Sequence, residues 1–455
     1  MILHDIQCKP TLPKYAIGID FGTTNCVVAI YHNEQVQYLK IEESDVIPTA
    51  IQYTKNDVII GKNALEKGIL NIKSLISNSD LISTYKYEHK IENEDLLLYT
   101  CQGWKSCIEI AANIFQFLRF KISKQVNENV HHTVLTVPTR FDDTTKHKIV
   151  KAAQQGGWTV TRVLTEPTAA LLALHHQKNL KNGIYGVYDL GGGTFDFSVV
   201  KIYNEICHVL STSGDTQLGG NTFDIELQKH HSYTIQKIQK LRENEKLQVQ
   251  NAQFITSQTV VIMNKALADA NISICDLHGI ILTGGASQIQ CIQDTVKSLH
   301  SNIIYGDAMK NVAYGAALQS HKLLHSAEHL LLDATPLSIG IESLNQEIEW
   351  MITKNTVIPT FATQIFTRAH PQQTSIKFNI VQGEEALLCK CISLGKFEIP
   401  IQPGDVSIEV KFLVDENNML SVTATNLDDG KKYTLLASIT KPLTLKKIFS
   451  LQQNS

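Results

Sequence analysis

From Tyr15 to about residue 325, short apolar runs alternate with segments whose apolar residues recur every three or four positions. The first kind predicts strands and the second amphipathic helices. Ile184 and Val187 lead into a turn, and Phe197, Val199, Val200 and Ile202 lead out of it. From Ser106, residues Ile108, Ala112, Phe115, Leu118 and Ile122 mark one helix face. Residues 133–137 form a strand stopped by Pro138; Asp142 and Asp143 can cap the next helix, which Gly156 and Gly157 end. After a strand at 160–164, Glu166-Pro167 opens a helix with proline in its first turn. A polar helical stretch at 226–251 and a helix at about 257–271 precede a strand at 280–282. Ile289, Ile292, Val296 and Leu299 share a helix face, and 313–318 begin a closing helix. Residues 78–100 are polar and predict irregular chain.

At Thr335 the period changes. Ile376, Phe378 and Ile380 alternate with polar residues, as do Ile408, Val410, Phe412 and Val414, and then Leu420, Val422 and Ala424. Turns at Gln382-Gly383, Pro403-Gly404-Asp405 and Asp429-Gly430 separate these runs. Short alternating strands without helices predict a sandwich. The domains expected are an extension at 1–13, a mixed α/β module at 14–325, a linker at 326–334, an all-β module at 335–445 and a tail at 446–455 with no helical domain after it.

Composition adds limits. A chain of 455 residues exceeds one ordinary core. Net charge is −3 with no basic stripe, which disfavours nucleic acid and acidic membrane surfaces. No apolar stretch is long enough to span a bilayer, and the start of the chain lacks a signal-peptide pattern, so a cytoplasmic location is expected. Nine scattered cysteines fit reduced thiols. Cys389 and Cys391 share a strand face, open to a metal contact or to plain burial. The paired histidines at 131–132, 175–176 and 230–231 read as solvated.

The candidate chemistry sits in two glycine turns. Asp189-Leu190-Gly191-Gly192-Gly193-Thr194-Phe195-Asp196 is strand, tight turn, strand. Glycine admits close approach to the backbone, and amides converging in such a turn form an anion nest. One such turn is also an ordinary hairpin. A second copy, Asp20-Phe21-Gly22-Thr23-Thr24-Asn25, repeats the strand, the acid, the glycine and the hydroxyls. Neither copy is a Walker loop or a dinucleotide turn. Two hairpins facing each other across a cleft, one from each half of a duplicated domain, are the arrangement implied.

These strings, with Glu166-Pro167-Thr168-Ala169-Ala170 and the linker-to-sandwich run Leu330 through Ser338, resemble the DnaK-type (seventy-kilodalton) heat-shock chaperones over nearly the whole chain. Within that family, Ser213-Gly214-Asp215 and Leu218-Gly219-Gly220 are similar to the HscA branch, which assists iron–sulfur cluster assembly. The resemblance implies an actin-like, ribonuclease H-like duplicated ATPase domain followed by a β-sandwich peptide-binding domain. It implies ATP or ADP with Mg²⁺ as cofactors. Lys73, Glu166, Asp189 and Thr194 would be catalytic, with Lys73 and Glu166 orienting the attacking water; taken alone, Lys73 is a solvated charge. Asp20 and Asp189 would position the metal through water. Gly22, Thr23, Thr24, Asn25, Gly191, Gly192, Gly193, Thr194, Gly219, Gly220, Gly284 and Gly285 would bind nucleotide. Ile341, Leu344, Phe366, Ala369, Ile376 and Phe378 match peptide-cleft positions, or are simply sandwich core. Pro138 and Asp333 would couple the domains. Extended client segments, an iron–sulfur scaffold protein and a J-type co-chaperone are the implied partners.

The chain departs from the family pattern in several places. The region 224–280, which contributes the adenosine clamp, is short. Ala286 and Gln288 stand where a hydroxyl residue and an arginine are usual, and Asn78 where a glycine–arginine pair is. Lys146 and Met309 replace an arginine and an acid used in domain coupling. The helical lid has no counterpart. The ATP-dependent chaperone therefore stands against a non-hydrolysing scaffold or holdase with the same fold. A sugar-kinase or actin-like enzyme would leave the linker and sandwich unexplained.

Overall fold

A computed structural model describes residues 13–41, 43–84, 87–92, 95–203, 206–230, 253–325, 333–335, 337–342, 347–370, 372–385, 388, 391–401, 406–416 and 419–436. The N-terminal extension to residue 12, most of the linker, Leu344, Cys389 and the tail lie outside them. The chain divides into two compact units, Met1–Phe141 with Lys148–Asp333, and Asp142–His147 with Ala334–Ser455.

The first unit holds two sheets built on one five-strand path, the first with a sixth short strand, Ile47–Pro48, beside its second strand. In the first, β1 (Ala16–Phe21), β2 (Asn25–His32) and β3 (Gln35–Tyr38) form an antiparallel meander. Beside β1, in parallel, runs β4 (His132–Val137), and beside β4 runs β5 (Thr159–Thr165). The second sheet repeats this with β6 (Gly183–Leu190), β7 (Phe195–Tyr203) and β8 (Ile206–Asp215) as the meander. Its parallel strands are β9 (Gly279–Thr283) and β10 (Ile303–Ile304). Both sheets therefore run third, second, first, fourth, fifth. In each, the first strand is central, flanked on both sides and buried. That is why Ile17 and Ile19 in β1, and Val187 and Tyr188 in β6, read as near-continuous apolar runs.

The helices follow their caps. Helix α1 (Ile72–Ser77) is a single short turn and a half, entered through Asn71 at φ 55°. In α2 (Cys107–Val126) the Ser106 side chain accepts from the Glu109 amide while Glu109 caps the Ser106 amide in return. Asp142 Oδ1 accepts from Thr145 N at 2.6 Å and starts α3 (Asp143–Gln155). Helix α4 (Glu166–Lys178) carries proline in its first turn. Then come α5 (Gly220–His230), α6 (Gln253–Asp269), α7 (Gln290–Leu299) and α8 (Asn311–His325). Ala313 and Ala317 of α8 are buried against Val27 and Ala29 of β2, so the closing helix returns to the first sheet.

Much of the segment predicted to be irregular forms regular structure among its described residues. His89–Glu92, Asp95–Thr100 and Gly103–Ser106 make a three-stranded antiparallel sheet. Leu96 and Leu98 point inward while the outer strand is exposed throughout, so only one strand carries an apolar face and the pattern is diluted. The histidine pairs are also not uniformly solvated: His132 is a half-buried strand residue, and His175 Nδ1 is buried. Within the polar stretch expected at 226–251, helix α5 reaches His230, and residues 231–252 lie outside the described ones.

The second unit contains two four-stranded antiparallel sheets. One orders β12 (Ile348–Ile352), β11 (Ser338–Glu342), β14 (Ser375–Gly383) and β15 (Ile392–Pro400). The other orders β13 (Thr360–Thr367), β16 (Ser407–Val414), β17 (Leu420–Asn426) and β18 (Lys432–Leu436). Ile339, Ile341, Phe378 and Ile380 share one core with Ile408, Val410, Phe412, Val422 and Ala424, the residues that alternation predicts to face inward.

Candidate functional site

Strand period and turn chemistry place the two acids alike. Asp20 is the next-to-last residue of β1, two residues before Gly22, and Asp189 is the next-to-last residue of β6, two residues before Gly191. Each stands on a central strand at the cleft, Asp189 buried and Asp20 half-buried. The second turn is closed by Gly191 N donating to Thr194 O at 3.0 Å. The first is held by Thr49, whose amide donates to Thr24 O at 2.8 Å and whose hydroxyl donates to Gly22 O at 2.9 Å.

The two turns face and touch. A Cβ on Gly192 would collide with Thr24 Oγ1, and one on Gly193 would stand 3.0 Å from Thr23 Cγ2. Behind the second turn, Gly220 N and Asn221 N donate to Gly191 O and Gly192 O at 2.9 and 2.7 Å. Around them opens a cleft of about 470 Å³. One set of walls is polar: Asp20, Gly22, Thr23, Thr24, Asn25, Lys73, Glu166, Asp189, Gly191, Gly192, Thr194, Gly220 and Asn221. The other set, Gly284, Gly285, Ala286, Gln288, Ile289, Ala308, Met309 and Val312, is largely apolar.

Lys73 is the centre of the polar part. Its Nζ lies 2.7 Å from Glu166 Oε1, with side chains 2% and 12% exposed, and 5.6 Å from the Phe141 ring centroid. Phe141 N in turn donates to Pro138 O at 3.3 Å. Glu166 is the first residue of α4, where the helix dipole favours a carboxylate. The solvated reading of Lys73 is thus overturned. Asp20 is raised to about 7, first by burial and then by the nearby Glu166, with Lys73 and the Thr136 hydroxyl opposing the shift. Thr136 Oγ1 donates to Asp20 Oδ1 at 3.1 Å from the register-paired position of β4. Asp189 is pushed well above the carboxylate range by burial, with Glu166, Asp196 and Asp20 adding to it.

Three residues not singled out for the site belong to it, Asp196 and Arg140 through its charge balance and Asn221 through a hydrogen bond. Asp196, opposite Asp189 in register, is buried and raised to about 7, first by burial and then by Glu166, with Arg140 pulling it back. It was visible as the second acid flanking the glycines; Arg140 carries no local signal. Asn221 was legible only as the residue after Gly219-Gly220. Its side chain donates to Asn71 Oδ1 at 3.4 Å, tying the back of the second turn to the start of α1.

Other assignments shift. Gly193 and Gly219 do not line the cleft; a Cβ on Gly219 would meet Gly192 and Gly193 backbone at 2.7 Å, so it buttresses the turn from behind. Gly284, at φ 81°, packs against Asp189 and Leu190, and Gly285 meets the Met309 thioether. Met309, expected at a coupling position, lies on the cleft wall. Lys146 donates to Asp143 Oδ1 at 3.2 Å with both side chains 1% exposed. In the sandwich, Ile341, Ile376 and Phe378 are buried in the core, Phe366 packs partly against it, and Ala369 is exposed. Pro138 is buried, and Asp333 lies in a short strand, Asp333–Ala334.

The site suits a polyphosphate with a divalent cation. Three carboxyls, at Asp20, Glu166 and Asp189, line the cleft, with Asp196 close enough to raise Asp189, and Asp20, Asp189 and Asp196 are driven toward protonation by burial and by neighbouring carboxyls. A cation would relieve that repulsion. The turns present backbone with no side chain in the way. Among the described residues no group of three or more His, Cys, Asp or Glu side chains is placed to hold a metal directly. No helix among them is long and apolar enough to cross a membrane.

A family model described as Hsp70 protein matches residues 16–252 and 242–455. A chaperone protein HscA homolog of Rickettsia prowazekii is 35% identical over 449 residues, covering 90% of this chain and 75% of its own. That of Rickettsia conorii is 36% identical over 453 residues with the same coverage. That of Rickettsia typhi is 34% identical over 460 residues, covering 92% of this chain and 77% of its own.

Proposed function

This chain belongs to the Hsp70 family, and from that premise we propose that it is an ATP-dependent chaperone of the HscA kind, acting in iron–sulfur cluster assembly. The observation that carries the reading is the buried Lys73–Glu166 pair set beside two glycine turns that close on each other. The repeated strand order supports an internal duplication of the actin-like, ribonuclease H-like type. The domain limits proposed are 14–325 for the ATPase and 335–445 for the sandwich, and the cellular location proposed is the cytoplasm.

Phosphoryl transfer needs positioning and charge neutralisation more than covalent help. The amides of the turns, with the Thr24 and Thr194 hydroxyls, would donate to phosphate oxygens. Asp20 and Asp189 would hold Mg²⁺ through water. When bound, that ion neutralises phosphate charge and fixes the geometry of the triphosphate. Lys73 and Glu166 would orient the attacking water, each fixed by the other. Pro138 is joined to Lys73 through Phe141, which supports its reading as a relay of nucleotide state, with Asp333 as the second coupling residue. The sandwich would take extended apolar client segments through main-chain bonds and an apolar pocket. An iron–sulfur scaffold protein and a J-type co-chaperone are the proposed partners.

A second reading, a scaffold that no longer hydrolyses ATP, draws on the largely apolar wall at Ala286, Ile289, Met309 and Val312. Calorimetry with Mg-ATP and single-turnover phosphate release, on wild type and Thr194→Ala, separates the two. Binding with slow release that Thr194→Ala abolishes supports the ATPase. Binding without release gives the scaffold, and no binding removes the nucleotide from either.

A further inference from the structure

Lys310 sits immediately before α8, at the positive end of a helix, where a lysine is electrostatically disfavoured. Its surroundings compensate. Nζ lies 2.8 Å from Asp45 Oδ2 and 3.2 Å from Asp307 Oδ2, and 5.2 Å from the Tyr38 ring centroid. Asp307 is a local partner; it also caps the turn, with its side chain accepting from Met309 N and its carbonyl from Lys310 N and Asn311 N. Asp45 is 265 positions away.

The two ends of that long-range pair lead to different sides of the cleft. On the Asp45 side, Ile47–Pro48 pairs with Asn25 and Cys26, and Thr49 bonds to Gly22 O and Thr24 O, the first glycine turn. On the Lys310 side, Ala308 O accepts from Gly284 N at 2.9 Å and from Thr283 Oγ1 at 3.4 Å, at the base of the second sheet's Gly284-Gly285 turn. Ala308 and Met309 themselves line the cleft. A continuous path therefore runs from Gly22–Thr24 through Thr49 and Asp45 to Lys310, Ala308 and Gly284. Every link but one is backbone or a short hydroxyl contact. The exception is the Lys310–Asp45 ion pair.

We propose that Lys310 is a positioning residue that latches the first glycine turn to the Gly284-Gly285 turn through Asp45, fixing the width of the nucleotide cleft. It does not reach the reacting atoms; it acts through the turns. Its side chain is 24% exposed and Asp45 26%, so solvent screens the pair only in part. Asp45 also holds Lys310 charged, raising it above the usual lysine value against the opposing effect of burial. The nucleotide arm of the test rests on the ATPase reading; the other arm does not.

The test compares wild type, Lys310→Met, Lys310→Arg and the exchange Asp45→Lys with Lys310→Asp. Hydrogen exchange of the unliganded protein comes first. With Lys310→Met, protection is expected to fall at both 20–26 and 283–289, segments that Lys310 does not touch. Mg-ATP titration should then show Kd raised roughly three- to tenfold, with kcat changed less than about twofold because Lys73 and Glu166 are untouched. Lys310→Arg and the charge exchange should restore both readouts. Loss of protection confined to 306–311 overturns the latch. So does equal behaviour of Met and Arg, or additive effects of Lys310→Met and Asp45→Asn. If wild type fails to bind Mg-ATP, the function reading falls, while the exchange arm still decides the latch.

Discussion

Lys73 Nζ and Glu166 Oε1 meet at 2.7 Å although 93 positions separate them. One comes from a six-residue helix, the other from the first turn of a thirteen-residue helix. Both side chains are nearly out of water, so each is the other's close charge partner and removing one leaves the other uncompensated. The pair also sits among carboxyls that burial drives toward protonation.

Breaking that pair is expected to hurt stability as well as activity. Lys73→Met leaves Glu166 buried beside Asp20 and Asp189 without its cation. A loss of about 3–5 kcal/mol is expected from urea unfolding, and single-turnover phosphate release should vanish. Lys73→Met with Glu166→Gln should recover much of the stability and none of the turnover. Full-strength release in Lys73→Met would remove the pair from the chemistry.

Gly192→Ala tests the contact between the turns. The added methyl collides with Thr24 Oγ1, a short side chain on a turn pinned by Thr49. The turns must part, so Mg-ATP affinity should fall at least about tenfold, roughly 1.4 kcal/mol. Far-UV circular dichroism should stay unchanged. Wild-type affinity in a calorimeter would mean the turns do not grip the ligand together.

Asp20 contributes a pH dependence that a single substitution tests. Its folded value of about 7 stands above the ordinary 3.8, so between those values the folded state binds more protons than the unfolded one. Stability contributed by this group is therefore present at low pH and lost as pH rises toward 7. Without metal, Asp20→Asn should become progressively more stable relative to wild type from pH 4 to 7. The upper bound is about 4 kcal/mol, from roughly three units at about 1.4 kcal/mol each. A difference that stays flat across that range would show that Asp20 is ionised in the folded protein.

In the sandwich, burial separates core from candidate contact positions. Phe378 is 2% exposed and stacks on Phe397 at 5.0 Å, so Phe378→Ala should cost about 3–5 kcal/mol by thermal or chemical unfolding. Phe361 is 66% exposed, and Phe361→Ser should change stability by less than about 0.5 kcal/mol. Peptide binding is better tested at the half-buried Phe366, where Phe366→Ser should weaken capture of extended apolar peptides while the sandwich stays folded. Capture unchanged by Phe366→Ser would place the peptide elsewhere.

Local patterns were legible where one residue's neighbours in sequence decide its conformation. The alternation of Ile408, Val410, Phe412 and Val414 placed all four in one core. The sheet at 89–106 escaped because its outer strand has no apolar face. Ile376 and Phe378 fit both a core and a peptide cleft in sequence, since inward positions are apolar in either case; the structure buries them.

The amino-acid order alone determined the two acid–glycine–hydroxyl turns, the change from helical to alternating period near Thr335, and the family those patterns belong to. All of these stem from backbone freedom at glycine and from strand and helix periods, which act over a few residues. Packing alone decided that Lys73 would be buried against Glu166, that Asp20 and Asp196 would be held near 7, that Met309 would face the cleft, and that Lys310 would reach Asp45. Charge state and ion pairing depend on which distant segments exclude water from a group, and no local stretch of chain encodes that.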